Sequence, residues 1–167
     1  MLDLRVRNHN RSLYCVLVID LCGSLTFAGP LGPKELSHCL RLDSDPFSAS
    51  WTKEQWDKEL TDIMRPCVGI WQRGQLLAIA CGWLVIDELH ITNVTVAKNI
   101  RRQGLGYQVT SILLDYGRSR GARHATLEVN SINTAALKLY NKLGFSDVGK
   151  RSCYYENNDA RVQWLKL

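Results

Sequence analysis

Apolar residues recur along this chain at two different spacings, and the changes of spacing mark its elements. From Leu105 the apolar positions are Leu105, Val109, Ile112, Leu113 and Tyr116, which share one side of a helix turning every 3.6 residues. A second stripe, Ala136, Leu137, Tyr140 and Leu143, predicts a helix from Asn133 to Leu143 that Gly144 stops. Pro33 to Leu42 predicts an earlier helix, with Pro33 at a tolerated early position and Leu36 and Leu40 on one face. Thr52-Lys53-Glu54-Gln55 has the form of a capping box, flanked by Trp51 and Trp56 as a hydrophobic staple, so another helix starts near Lys53. Strand-like runs at Cys67–Gln72 and Gln75–Ile86 are divided by a hairpin turn at Arg73-Gly74. Glu88–Val96 and Ala125–Val129 continue the series, and segments at Val148–Tyr155 and Arg161–Leu167 flank a polar turn. This interleaving of helices and strands predicts an α/β fold, and 167 residues make one core rather than two. Neither an internal repeat nor a low-complexity linker interrupts it.

Residues 1–23 fit that pattern least. Arg5, Arg7 and Arg11 precede the apolar run Leu13–Leu21 in the manner of a signal peptide, but Asp20 breaks the run and no small-residue cleavage site follows. The run is also too short to span a bilayer. Six cysteines (Cys15, Cys22, Cys39, Cys67, Cys81, Cys153) are scattered without a C-x-x-C pair or histidines to complete a zinc site. They read as reduced, mostly buried thiols of a cytoplasmic protein that needs no metal. The net charge of +5 is spread along the chain rather than packed with stacking aromatics, which argues against direct nucleic-acid binding. Attraction to an acidic cofactor accounts for part of it.

The chemistry-bearing segment runs from Thr92 to Phe145. Arg101-Arg102-Gln103-Gly104-Leu105-Gly106 precedes the first stripe described above, so a basic glycine turn sits on a helix N-terminus. That end carries unpaired N–H groups and roughly +0.5 of a charge. Two glycines let a diphosphate approach the amides, and two arginines add full positive charge. A Walker loop is excluded because Leu105-Gly106-Tyr107 follows Gly104. A dinucleotide fingerprint would need a third glycine where Val109 stands, and a turn directly off the strand, whereas Ala97 to Gln103 intervene.

Arg101-x-x-Gly104-x-Gly106 resembles the Gln/Arg-x-x-Gly-x-Gly/Ala signature of the GNAT (GCN5-related) N-acetyltransferases. The likeness continues through Leu127-Glu128-Val129-Asn130, Asn133-Thr134-Ala135-Ala136, Leu139-Tyr140-Asn141-Lys142-Leu143-Gly144-Phe145 and Arg151-Ser152-Cys153-Tyr154-Tyr155. It is similar to the RimI-type branch, the ribosomal-protein-alanine N-acetyltransferases, over about Leu25 to Leu167. The resemblance implies a single acyl-CoA acyltransferase domain over residues 24–167, with a mixed, mostly antiparallel sheet flanked by about four helices. Its first strand would be Leu25–Ala28, leaving residues 1–23 as an N-terminal extension. It implies acetyl-CoA as acetyl donor, with the diphosphate over Arg101, Arg102, Gln103, Gly104, Leu105, Gly106 and Tyr107. The backbone of Val94, Thr95 and Val96 would pair with the pantetheine amides, since that strand splays from its neighbour.

Acetyl transfer requires an amine to lose a proton and a thiolate to leave. Glu128 is either the base that takes the proton, directly or through water, or a solvent-facing strand residue. Tyr140 is either the acid that protonates the thiolate or a core tyrosine. Asn133 lies on nearly the same helix face, about 10.5 Å from Tyr140 along the axis, as a helix cap, a coenzyme contact or both. A free α-amine titrates near ~7.8 and a lysine near ~10.4, so a neutral lysine at pH 7 costs about 3.5 kcal/mol more. The expected reaction is therefore acetylation of a protein N-terminal α-amine, and the branch implies a ribosomal protein, of the small subunit, beginning with alanine. A lysine side chain or a small amine is the alternative acceptor, and a coenzyme-binding module without catalysis the rival of another class. Segments Ser48–Trp56 and Tyr154–Asp159 are expected to wall the acceptor cleft. The chain departs from the family at Ala97-Lys98, where Asp-Pro is usual, and at Cys153, where asparagine is usual. Its basic charge offers no attraction to a basic ribosomal protein.

Overall fold

Side chains from His124 to Asn130 alternate half-buried and buried without a break, the period of a strand with helices against one face. The computed structural model describes residues 16–19, 25–44, 50–155 and 157–167. Its strands are β1 (Val16–Ile19), β2 (Leu25–Pro30), β3 (Cys67–Gln72), β4 (Gln75–Val85), β5 (Glu88–Val96), β6 (His124–Asn130), β7 (Ser146–Tyr155) and β8 (Asn158–Lys166). Its α-helices are α1 (Leu36–Asp43), α2 (Lys53–Thr61), α3 (Leu105–Ser119) and α4 (Thr134–Lys142). The strands form one sheet in the order β1-β2-β3-β4-β5-β6-β8-β7. Every neighbouring pair is antiparallel except β5–β6, which is parallel. The mixed, mostly antiparallel sheet with four α-helices is therefore as the sequence led us to expect.

Each face of the sheet has its own core. On one side Val109, Leu113 and Leu114 of α3 and Tyr140 of α4 pack on Leu89, Ile91, Ala125, Leu127 and Val129. On the other, Trp56 and Leu60 of α2 and Cys39 of α1 cover Cys67, Ile79 and Cys81. Trp56 is wholly buried, and truncating such a side chain to alanine costs about 3–5 kcal/mol. It is fixed by the predicted capping box, in which Thr52 Oγ1 accepts from the Gln55 amide and Gln55 Oε1 from the Thr52 amide, and by its ring contact with Trp51 at 4.9 Å. The Trp56 indole and the Trp51 amide both donate to Asp43 Oδ2, at 3.1 and 2.8 Å, tying α2 to the end of α1.

Turn chemistry explains several boundaries. Arg73 and Gly74 both have positive φ (48° and 76°), the two-residue geometry that matches strand twist. β4 ends at Val85, one residue before the expected Ile86, because Ile86 has φ 57° and starts the next turn. Pro33–Glu35 form a 3₁₀ turn before α1 rather than its first α-helical turn. Within the 1–23 extension, Val16–Ile19 form β1 and pair antiparallel with β2 through Val16↔Ala28 to Ile19↔Leu25. The rest of that extension lies outside the described residues. No described helix is long and apolar enough to cross a membrane.

Candidate active site

β5 and β6 pair only from Glu88↔His124 to Ile91↔Leu127. Beyond that point β5 stays with β4, pairing Asn93, Val94, Thr95 and Val96 with Cys81 to Ala78, and β6 stays with β8. A wedge therefore opens in the middle of the sheet, where strand backbone groups need another partner. Its edge is shaped by a bulge: Asn93 opposes Cys81 and Ile91 opposes Gly82, leaving Thr92 as the extra residue. Buried Glu59 of α2 holds that bulge, accepting from Thr92 Oγ1 at 2.9 Å through Oε1 and from Arg65 at 2.8 Å through Oε2. Val94, Thr95 and Val96 thus lie along the open edge, with Val94 and Val96 turned to the α3 core.

The glycine turn stands at the mouth of this wedge. Gly104 is the N-cap of α3 with φ 86°, and it has no side chain with which to satisfy the first amides. The first helical bond runs from the Gln108 amide to the Gly104 carbonyl, so the amides of Leu105, Gly106 and Tyr107 have no intrahelical acceptor. Nothing lies within 4 Å of where a Cβ on Gly104 would be. At Gly106 a Cβ would stand 3.3 Å from Leu139 Cδ2 and 3.6 Å from Val96 Cγ2, so that glycine sets the approach of α3 to α4 and β5. Arg101 Nε donates to the Val96 carbonyl at 3.1 Å, joining the turn to the end of β5. Arg101, Arg102, Gln103 and Tyr107 are exposed, and the Lys142 ammonium lies 5.1 Å from the Tyr107 ring centre.

Glu128 is the first residue of β6 beyond its pairing with β5, and its side chain is on the opposite face from Leu127 and Val129. It opens into a cavity of about 470 Å³ lined by Trp83, Val85, Ile86, Asp87, Glu88, His90, Arg151 and Tyr154. Arg151 reaches over β8 to place its guanidinium 2.9 Å from Glu128 Oε1. The Tyr154 hydroxyl hydrogen-bonds the Glu128 side chain, which is the main reason its pKa lies above the ordinary phenol value. Tyr155 donates to the Glu128 backbone carbonyl at 3.2 Å, fixing the strand where the wedge opens.

Tyr140 sits on the other face, buried in the α3 core with its ring 5.8 Å from Phe145. Burial, and secondarily Tyr155, push its hydroxyl well above the ordinary phenol range. Such a phenol stays protonated at neutral pH. Asn133 is the N-cap of α4, its Oδ1 accepting from the Ala136 amide at 3.1 Å. Its side chain is exposed.

Reading along the chain missed most of the cavity wall. Trp83 and Val85 at the end of β4, Ile86 and Asp87 in the turn, and His90 and Arg151 surround Glu128 through strand register rather than sequence neighbourhood. Their one signal in the sequence was the pair of bulky residues, Trp83 and Val85, on the alternate positions that turn out exposed. Tyr154 of the late hairpin lines this cavity, whereas Trp51 and Trp56 pack in the α2 core. Ser48 lies outside the described residues. Cys39, Cys67 and Cys81 are buried and Cys153 is exposed; all four are free. Glu59, Cys67 and Cys81 converge within 4.8 Å, but both Glu59 oxygens are engaged, and burial pushes Cys81 up and Cys39 up to about 12. These are thiols of a closed core, a poor donor set for a cation.

The chain is 29% identical over 137 residues, 80% of its length and 91% of the relative's, to a Bacillus subtilis protein provisionally named a ribosomal protein bS18-alanine N-acetyltransferase. It is 38% identical over 90 residues to the Escherichia coli enzyme of that name, spanning 54% of this chain and 61% of that one. The crystal structure of the E. coli ribosomal-protein-S18-alanine N-acetyltransferase superposes with a TM-score of 0.79 at 26% identity, covering 84% of this chain and 93% of that one. Arabidopsis thaliana NAA60 in complex with acetyl-CoA shares the fold, with a TM-score of 0.76 at 14% identity over 85% of this chain and 98% of the other. The model of the acetyltransferase (GNAT) family matches residues 36–145, from α1 across the wedge, the glycine turn and Glu128 to the end of α4, and the chain belongs to that family.

Proposed function

We propose that this chain transfers acetyl from acetyl-CoA to the N-terminal α-amine of a protein, a ribosomal protein beginning with alanine being the favoured acceptor. The observation that carries the reading is the meeting, at one wedge in the sheet, of an anion-binding helix end and an acid-lined cavity. The amides of Leu105, Gly106 and Tyr107, with Arg101, Arg102 and Gln103 around them, suit the diphosphate. The open edge at Val94, Thr95 and Val96 suits the pantetheine amides, and Asn133 caps the helix that flanks them. Asp87, Glu88 and Glu128 in the cavity suit a cationic amine arriving from the other face. The names of the bacterial relatives support the acceptor class.

In this reading the amine nitrogen, freed of a proton, attacks the thioester carbonyl; the N–C bond forms and the C–S bond breaks. Glu128 takes a proton from the nitrogen as the intermediate collapses, and Tyr140 gives one to the departing thiolate. Binding without catalysis would not call for both groups at the wedge. We place the reaction in the cytoplasm, in keeping with the free buried thiols.

The test compares a short peptide beginning with alanine against the same peptide with its N-terminus blocked and a lysine inside, each incubated with acetyl-CoA. Tandem mass spectrometry should place the acetyl group on the free terminus, of which roughly a tenth is neutral at pH 7. Efficient modification of the blocked peptide with little on the free terminus would transfer the assignment to lysine. Acetylation of neither would leave small amines.

A further inference from the structure

Glu59 of α2 is almost wholly buried, and its carboxylate comes within 4.8 Å of the Cys67 and Cys81 thiols. One oxygen accepts from Thr92 Oγ1 at 2.9 Å and the other from Arg65 Nη1 at 2.8 Å. A carboxylate only accepts, so each oxygen is committed to its own donor. A buried ion pair is often no more stable than apolar side chains of the same volume, so stability alone gives no reason for a glutamate here. The two donors lead to different places. Thr92 is the extra residue of the bulge, from which the open edge of β5 runs. Arg65 lies on the segment that extends the β3–β4 ladder, where the Leu84 amide donates to the Met64 carbonyl at 2.8 Å and the Gly82 amide to the Pro66 carbonyl at 3.0 Å. Its guanidinium carbon lies over the Trp83 ring, 4.9 Å from the centre, and its Nε is 3.3 Å from Asp62 Oδ2. Trp83 is 42% exposed, so the guanidinium supplies contact that a solvent-facing ring would otherwise lack. The same indole is a wall of the cavity that holds Glu128.

We infer that Glu59 is a positioning residue for both substrates, setting the coenzyme edge through Thr92 and the acceptor wall through Arg65 and Trp83. This rests on the acetyl-transfer reading and deepens it. β5 leaves β6 after Ile91, and Thr92 is the next residue, so the bond to Glu59 anchors the chain at the apex of the wedge. The ladder leaves that residue unpaired, and its anchorage fixes where the following amides and carbonyls stand for a ligand that pairs with them. On the other arm, a planar guanidinium bonds the carboxylate along its edge while offering its face to the indole. The tilt of Trp83 then follows the position of Glu59. Reaction between two bound molecules needs their reacting atoms at a fixed separation. A single buried side chain that touches the supports of both supplies the common reference, from a helix that carries neither Glu128 nor Tyr140.

The two arms can be tested apart, with calorimetry for coenzyme A affinity and steady-state kinetics for the KM of whichever acceptor the wild type prefers. Thr92→Val removes the hydroxyl at nearly constant shape and should weaken coenzyme A binding by about tenfold, with the acceptor KM unchanged. Thr92→Ser keeps a hydroxyl and should bind coenzyme A as the wild type does. Arg65→Lys leaves a cation beside Glu59 without the planar stack, and should raise the acceptor KM about three- to fivefold with coenzyme affinity unchanged. Glu59→Gln offers one acceptor oxygen in place of two and should weaken both. Thr92→Cys, whose thiol is a weaker donor, should shift coenzyme affinity in the same direction and covers the case in which Thr92→Val folds poorly. A glutamate that only held the fold together would lower the Tm and the active fraction while leaving both constants in place. That result, an acceptor KM unmoved by Arg65→Lys, or variants of the two arms raising both constants alike, would overturn the assignment. Failure of the acceptor reading is separate: it shows in which amine the wild type modifies, not in the ratio of wild type to variant.

Discussion

Glu128 and Tyr140, the base and acid of the proposed reaction, lie on opposite faces of the sheet in different surroundings. Glu128 is held beside the Arg151 guanidinium, while Tyr140 is enclosed by the α3 core and pushed toward its neutral form. Glu128→Gln should lower kcat by about 10²–10⁴-fold. Tyr140→Phe should slow release of coenzyme A while leaving its affinity near wild type, as single-turnover kinetics with calorimetry will read. Because the Tyr140 pKa is raised on folding, its stabilising contribution is complete below about pH 10 and is lost as pH rises through the folded value. The rate should accordingly show no falling limb from this phenol between pH 8 and 10. A second residue-scale prediction concerns Cys153, which has φ 52° where β7 loses register with β8. Asparagine tolerates that left-handed region better than other side chains, which gives the family preference at this position a physical cause. Cys153→Asn should stabilise the protein by about 1 kcal/mol, or roughly 2–4 °C in Tm. At this scale Glu128, Tyr140 and the glycines were legible because a short motif surrounds each. Glu59 and Thr92, 33 positions apart, were not, because only the fold brings them together.

Among the elements, those defined by local chemistry were readable in advance. The capping box at Thr52, the Arg73-Gly74 turn and the cap at Asn133 each depend on a few consecutive residues. The bulge at Thr92 was not readable, since Ile91-Thr92-Asn93-Val94 looks like an uninterrupted strand until its partner is known. β1 was hidden for a related reason: four residues gain strand geometry only by pairing with β2, and its flanking arginines suggested a leader instead. α3 joins both kinds of information, with an apolar stripe visible in the sequence and a cap conformation, φ 86° at Gly104, that explains why glycine stands there.

For the molecule as a whole, the α/β class followed from the interleaved periodicities, whereas the sheet order did not. Placing β8 between β6 and β7 is what brings Arg151 and Tyr154 to Glu128. A coenzyme lying in the wedge would bridge β5, β6 and α3, so its binding should stabilise the entire fold. At a hundredfold excess over Kd the gain is about 2.7 kcal/mol, roughly 5–10 °C in Tm. Gly104→Val, whose side chain would project into open space, should cost the free protein about 1–2 kcal/mol of backbone strain and remove most of that ligand-induced shift. A shift equal to wild type would take the diphosphate away from this turn. Finally, the extra residue at Thr92 acts as a phase marker for everything after it. It lets Leu89 and Ile91 before it, and Val94 and Val96 after it, all turn to the α3 core. Pairing that residue as an ordinary strand position instead of bulging it out would rotate the remainder of β5 by half a period, sending both valines toward α2 and Asn93 and Thr95 into the apolar interior. Deleting Thr92 should therefore leave both valines facing α3 and remove instead the kink in the strand edge and the hydroxyl that Glu59 holds.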